Sequence, residues 1–158
     1  MKKITLFIPL IFLATLCFGQ KGAISYEDIK FILRNNLMQD DTFLNIKGYV
    51  TVKKDNDTKN RQYTISGLSD TYTKLNLRLD GKRMYIELET NQPGQFALIH
   101  DSIVQFLDKN AGTPGIQTYV VKDLGTIYVT SEEAPDGNPL KRDYDIQIAG
   151  DKHITINN

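Results

Sequence analysis

The stretch TKLNLRLDGKRMYIELE, residues 73–89, decides the fold. Leu75, Leu77 and Leu79 alternate with Lys74, Asn76 and Arg78. After Asp80-Gly81, Met84, Ile86 and Leu88 alternate with Arg83, Tyr85, Glu87 and Glu89. A period of two places all the apolar side chains on one face of a strand. Asp-Gly between two such runs is the signature of a two-residue type I′ hairpin. With Asp80-Gly81 as the loop, Leu79 should face Lys82, Leu77 face Met84 and Leu75 face Ile86. The other face then pairs Lys74 with Glu87, Asn76 with Tyr85 and Arg78 with Arg83, the last a like-charge pair.

On the N-terminal side of this hairpin the period of two continues. Leu44, Ile46, Val50 and Val52 alternate with Asn45, Lys47, Tyr49, Thr51 and Lys53, and Gly48 reads as a bulge or a point of close packing. Residues 43–53 and 62–66 are therefore expected to pair as strands across the polar loop 55–60. Before them the period is that of a helix. Tyr26, Ile29, Leu33 and Leu37 lie on one face, Ser25 stands at the N-cap position and Asp28 three residues on. The spacing predicts one amphipathic helix over 26–38.

On the C-terminal side, residues 95–108 fit a helix capped by Asn91, or a hairpin turning at His100-Asp101-Ser102. The helix is the preferred reading. Residues 116–121 and 126–130 read as strands joined around Asp123-Leu124-Gly125. Residues 144–148 add another, and 153–157 a short edge strand. Strands on short loops are antiparallel, and their apolar face needs a cover. The predicted class is α+β: an N-terminal amphipathic helix packed on a mostly antiparallel β-meander of about seven strands, open or curled into a partly open barrel.

The beginning of the chain carries an address. Lys2 and Lys3 precede an apolar run from Ile4 to Phe18, which ends at Gly19. This is the layout of a secretory signal peptide, and the run is short for a membrane-spanning helix and contains Pro9. Residues 1–19 are expected to be a signal peptide cleaved after Gly19, and residues 20–158 a single β-rich domain that is periplasmic or secreted. Lipidation at Cys17 is the less favoured alternative, because Leu16 occupies a position usually held by a small residue. Cleavage removes Cys17, the one cysteine in the sequence. The mature chain then has no disulfide and no thiol chemistry.

Composition narrows the function. In 158 residues, 19 basic side chains balance 19 acidic ones, so no net field recruits nucleic acid. His100 and His153 are the only histidines and stand far apart, which argues against zinc. His100-Asp101-Ser102 resembles a triad in composition, but adjacent side chains diverge and cannot meet one imidazole from both sides. The carboxylate pairs Glu87/Glu89, Glu132/Glu133 and Asp143/Asp145 suggest hydrolysis. Those on strands alternate with apolar residues, however, and so fall on a solvated face. A calcium loop starting at Asp108 fails at Thr113 and Tyr119; Asp55, Asp57 and Asn60, or Asp136 and Asn138, read as turn residues. No phosphate-binding glycine motif occurs.

What remains is a surface. Arg78, Lys82 and Arg83 cluster at the hairpin, and Tyr49 and Tyr85 alternate onto polar faces. Outward tyrosines stack on sugars or on a protein, and paired arginines attract an anion. The expectation is an exported, non-enzymatic binding module without metal or cofactor. Its binding candidates are Tyr49, Tyr85, Arg78, Lys82 and Arg83, and its partner is a protein or an envelope ligand. Nucleic acid and a transmembrane segment in the mature chain are not expected. The alternatives are a carrier with an apolar cavity lined by Leu75, Leu77, Ile86 and Phe96, and a carboxylate hydrolase.

Overall fold

The computed structural model describes residues 22–67, 70–111, 113–122, 124–133 and 141–151. The expected signal peptide, Cys17, the 153–157 strand with His153, and the turn at Asp136 and Asn138 lie outside them. The described chain is α+β. Helices α1 (Tyr26–Arg34) and α2 (Leu37–Ile46) come first. Strands β1 (Val50–Asp55), β2 (Asn60–Ser66), β3 (Tyr72–Asp80) and β4 (Arg83–Thr90) follow. Helix α3 (Pro93–Ile103), with a 3-10 turn at Val104–Phe106, leads to β5 (Gln117–Val121), β6 (Gly125–Glu133) and β7 (Arg142–Gly150).

The seven strands form one sheet in the order β1-β2-β3-β4-β7-β6-β5. Every neighbouring pair is antiparallel. Two meanders, β1–β4 and β5–β7, therefore meet at the β4/β7 seam, and α3 carries the chain from the seam to the far edge. The sheet is open, which corrects the barrel variant: β1 and β5 are its opposite edges. Closure is not needed to bury the apolar face, because all three helices contribute buried residues to one core with it. Ile29, Ile32, Leu33, Leu37, Leu44, Ile99 and Ile103 from the helices join Leu75, Leu77, Ile86, Leu88, Ile127, Ile146 and Ile148 from the strands. Among the described residues no helix is long and apolar enough to cross a membrane.

The single helix expected over 26–38 is two helices. Ser25 caps α1 through a reciprocal capping box with Asp28, as its position in the sequence suggests. A second box interrupts the apparent helix: Asn36 caps α2, accepting from the backbone of Met38 and Gln39, and the Gln39 side chain accepts from the Asn36 N–H. Helix α2 takes residues that were expected to begin a strand. Leu37, Asp40 and Leu44 are its buried face. Gly48 ends it with φ +95°, its N–H donating to Asn45 and the Tyr49 N–H donating to Leu44. That is a Schellman cap, which requires a left-handed residue at this position, and not a strand bulge. Lys47 ties the helix ends together by donating to Asp28 (2.7 Å) and to the carbonyl of Ala23 (2.9 Å).

The 73–89 hairpin forms, with a shifted register. Asp80 pairs with Arg83, Leu79 with Met84, Leu77 with Ile86 and Leu75 with Leu88. The loop is Gly81-Lys82, with positive φ at Gly81 and not at Lys82. Glycine at the first loop position is the type II′ pattern in place of the expected I′. A shift of two residues preserves the faces. It changes the cross-strand partners: Lys74 faces Glu89, Asn76 faces Glu87 and Arg78 faces Tyr85, so Arg78 and Arg83 are not the direct cross-strand pair that was expected.

The preferred helix over 95–108 is observed as α3, two residues earlier, starting after Gln92 with Pro93 in its first turn. Asn91 does not cap it. Its side chain instead accepts from the Tyr72 N–H and donates to the Asp70 carbonyl.

Candidate functional site

All three helices pack on one face of the sheet, and the other face carries the alternate side chains. Strand register arranges these in rows. One row runs Asn60, Arg78, Tyr85, Ala149, Thr126 across five strands. The next runs Gln62, Asn76, Glu87, Gln147, Tyr128. A third runs Thr64, Lys74, Glu89, Asp145, Thr130. The first two rows line a hollow of about 630 Å³ that straddles the β4/β7 seam. A second hollow of about 360 Å³ adjoins it over β1–β4 and shares Gln62 and Asn76.

The cationic end of the main hollow is ordered by Tyr85. The Arg78 and Arg83 guanidinium carbons lie 4.9 and 5.4 Å from the centre of its ring. Cation–π attraction of this kind holds a guanidinium in place while leaving its N–H groups free. Arg83 is further fixed by donating through Nε to the Gly150 carbonyl (2.7 Å) and through a terminal nitrogen to the Tyr85 hydroxyl (3.3 Å). Among the described residues, neither arginine has a carboxylate within 4 Å.

Away from the arginines the face turns acidic. Glu89 stands opposite Asp145 on the neighbouring strand. Lys74 pairs with Glu89 at 3.1 Å, and Asn76 donates to Glu87 at 2.7 Å. Asp145 accepts from Gln147 (2.7 Å), yet burial first, then Glu87 and Glu89, push its pKa up. Two carboxylates in register and an acid with raised affinity for its proton are elements of acid–base chemistry. Among the described residues, however, no group of three His, Cys, Asp or Glu could hold a metal ion.

Of the surface residues expected from the sequence, Arg78, Arg83 and Tyr85 come together in the hollow. Lys82 is exposed at the loop beyond it. Tyr49 is not on the surface: it follows the Schellman glycine and is buried in the core, where burial and Asp28 raise its pKa. Its expected place on an outward strand face disappears because the strand starts only at Val50. Sequence reading missed Tyr128, Gln147, Gln62 and Asn76. Each is an ordinary outward residue of its own strand, and only register makes them neighbours. Tyr128 is the most exposed aromatic of the hollow, at 41%.

The triad-like His100-Asp101-Ser102 lies on α3, on the other side of the sheet. The His100 ring stacks on Phe96 (4.8 Å) and its Nε2 is 3.1 Å from the Tyr119 hydroxyl. Ser102 makes no hydrogen bond to it among the described residues. Asp55 and Asp108 accept backbone N–H groups in their own turns, as turn aspartates do.

No family model, curated protein or solved structure matches this chain. The reading of the site therefore rests on its own chemistry.

Proposed function

We propose that the protein is an exported, non-enzymatic binding module that takes its ligand on the helix-free face of the sheet. One observation carries this reading: a polar hollow of about 630 Å³ in which two arginines, held in place by Tyr85, lack a carboxylate partner among the described residues. Sites that bind small molecules are concave and place a few fixed polar groups in an otherwise formed surface. The apolar-carrier reading has less support, because Leu75, Leu77 and Ile86 belong to the packed core. Export rests on the layout of residues 1–19, with cleavage after Gly19.

The test is mass spectrometry of the protein purified from its own cell envelope. The denatured chain is expected to begin at Gln20, and an acylated chain beginning at Cys17 overturns that cleavage site. Under native conditions a bound species is expected, and the double variant Arg78→Ala/Gln147→Ala should lose it. Retention of the same species by that variant removes the helix-free face as the binding site.

A further inference from the structure

Resting on that reading, we propose that the ligand is a saccharide bearing a carboxylate, a uronate or a similar acidic sugar, laid across the β4/β7 seam. Three features of the hollow select this class.

The first is charge. Among the described residues, the Arg78 guanidinium has no hydrogen-bond partner and Arg83 retains one terminal nitrogen without one. A guanidinium fork matches a carboxylate through two parallel hydrogen bonds. Because Tyr85 and Gly150 already hold the two forks, little side-chain entropy is lost on binding.

The second is the row beside them. Asn76 and Gln147 flank Glu87 across three adjacent strands. Amides and a carboxylate together donate to and accept from hydroxyl groups, which present both functions at once. A ligand with one anionic group and several hydroxyls satisfies this row. Asn76 already donates to Glu87 and Gln147 to Asp145, and the amide oxygens and second N–H groups they keep find partners in hydroxyls but not in an aliphatic ligand.

The third is Tyr128. It stands two strands across and one row along from Tyr85, about 12 Å in the sheet plane. A short oligosaccharide spans that distance, so a later ring reaches an exposed aromatic face when the first meets the arginines. Tyrosine suits this contact, since its ring is apolar and its hydroxyl stays wet. The acidic row through Glu89 and Asp145 bounds the site on one side and disfavours a polyanion spread over the whole face.

The experiment is a titration of the mature chain, isotope-labelled for NMR, with a maltotriose analogue carrying one terminal glucuronate, maltotriose itself and inorganic phosphate in turn. The acidic trisaccharide is expected to shift the amides of Arg78, Tyr85, Gln147 and Tyr128. Arg78→Ala is expected to weaken it roughly tenfold, and maltotriose to bind at least as weakly, for loss of a charge-assisted pair. Tyr128→Phe should bind normally while Tyr128→Ala loses affinity, which separates stacking from hydrogen bonding. Arg78 is exposed, so its variant should melt like the parent.

Equal binding of maltotriose at the same amides overturns the acidic class and leaves the face as a binding face. Equal affinity for phosphate reduces the site to a simple anion site and overturns the saccharide. Shifts confined to the helices, whatever the probe, overturn both this proposal and the placement of the site. No response to the acidic trisaccharide overturns the proposal alone, since the envelope-derived species is read separately.

Discussion

Replacing Asp40 by Asn should stabilise the protein at neutral pH, and the gain should grow with pH. Asp40 is in α2, 0% exposed, and neither of its carboxyl oxygens has a hydrogen-bond partner among the described residues. Its neighbour Asp41 accepts from the Tyr63 hydroxyl and from Lys54 at 2.7 Å, and forms an ion pair with Arg61, whose Nε is 3.5 Å away. Burial, and then the charge of Asp41, raise the Asp40 pKa from 3.8 to about 8. The native state therefore keeps a proton that the unfolded chain releases above pH 4. Between the two values the native state binds more protons, so stability falls as pH rises, by about 1.4 kcal/mol per unit for one group. Below pH 4 the penalty is absent; above pH 8 it levels off. At pH 7 it is on the order of 4 kcal/mol, a large share of the stability of a domain this size.

Asparagine keeps the shape of the protonated acid and has no proton to lose. Urea unfolding of parent and Asp40→Asn chains from pH 5 to 8 should give a stability difference that grows by on the order of 1 kcal/mol per unit across the range. The amide carries its own unmet donors, which adds a constant offset but no slope. A difference that stays constant across this range would refute the reasoning, for it would mean that Asp40 is ionised in the native state.

Two further perturbations probe the frame that holds the site. Gln95→Leu should cost about 2–4 kcal/mol in urea unfolding, because Gln95 is buried and its amide both accepts from the Ile24 N–H (2.8 Å) and donates to the Ile24 carbonyl (2.7 Å), leaving two backbone groups unpaired. A loss below 1 kcal/mol would show that water replaces the amide there. Gly48→Ala should cost about 1–2 kcal/mol by thermal unfolding, since φ is +95° and an added Cβ would meet only Ile65 Cδ1, at an ordinary 3.7 Å, so that backbone strain is the main effect; a neutral result would mean that the turn relaxes.

How far sequence carried the fold depends on whether the information was local. Leu75 to Leu88 was readable because alternation and a turn signal sit side by side, and a two-residue register error cannot move a side chain to the other face. The α1/α2 break was written as Asn36 followed by Gln39, but the apolar spacing of Ile29, Leu33 and Leu37 runs through it and conceals it. Leu44 and Ile46 satisfy both periods over so short a stretch, and Gly48 decides between them only once its φ is known. Of the site, Arg78, Arg83 and Tyr85 were visible because one hairpin holds them. Gln147 and Tyr128 were not, because their adjacency to Glu87 depends on β4 pairing with β7, far apart in sequence.

That same pairing has a kinetic side. Each meander assembles from neighbouring strands, whereas β4 and β7 find each other only after the chain from Asn91 to Lys141 has been looped out. Closing so long a loop is entropically slow compared with forming a hairpin. The seam is thus expected to be the late joint of the molecule, and Tyr72–Asp143 on one face, Phe96–Tyr144 on the other and the Arg83 bond to the Gly150 carbonyl help to fasten it. A ligand reaching from Arg78 to Tyr128 would act as one more fastener, slowing unfolding in proportion to its occupancy and making the lifetime of the folded chain a direct report of what it has bound.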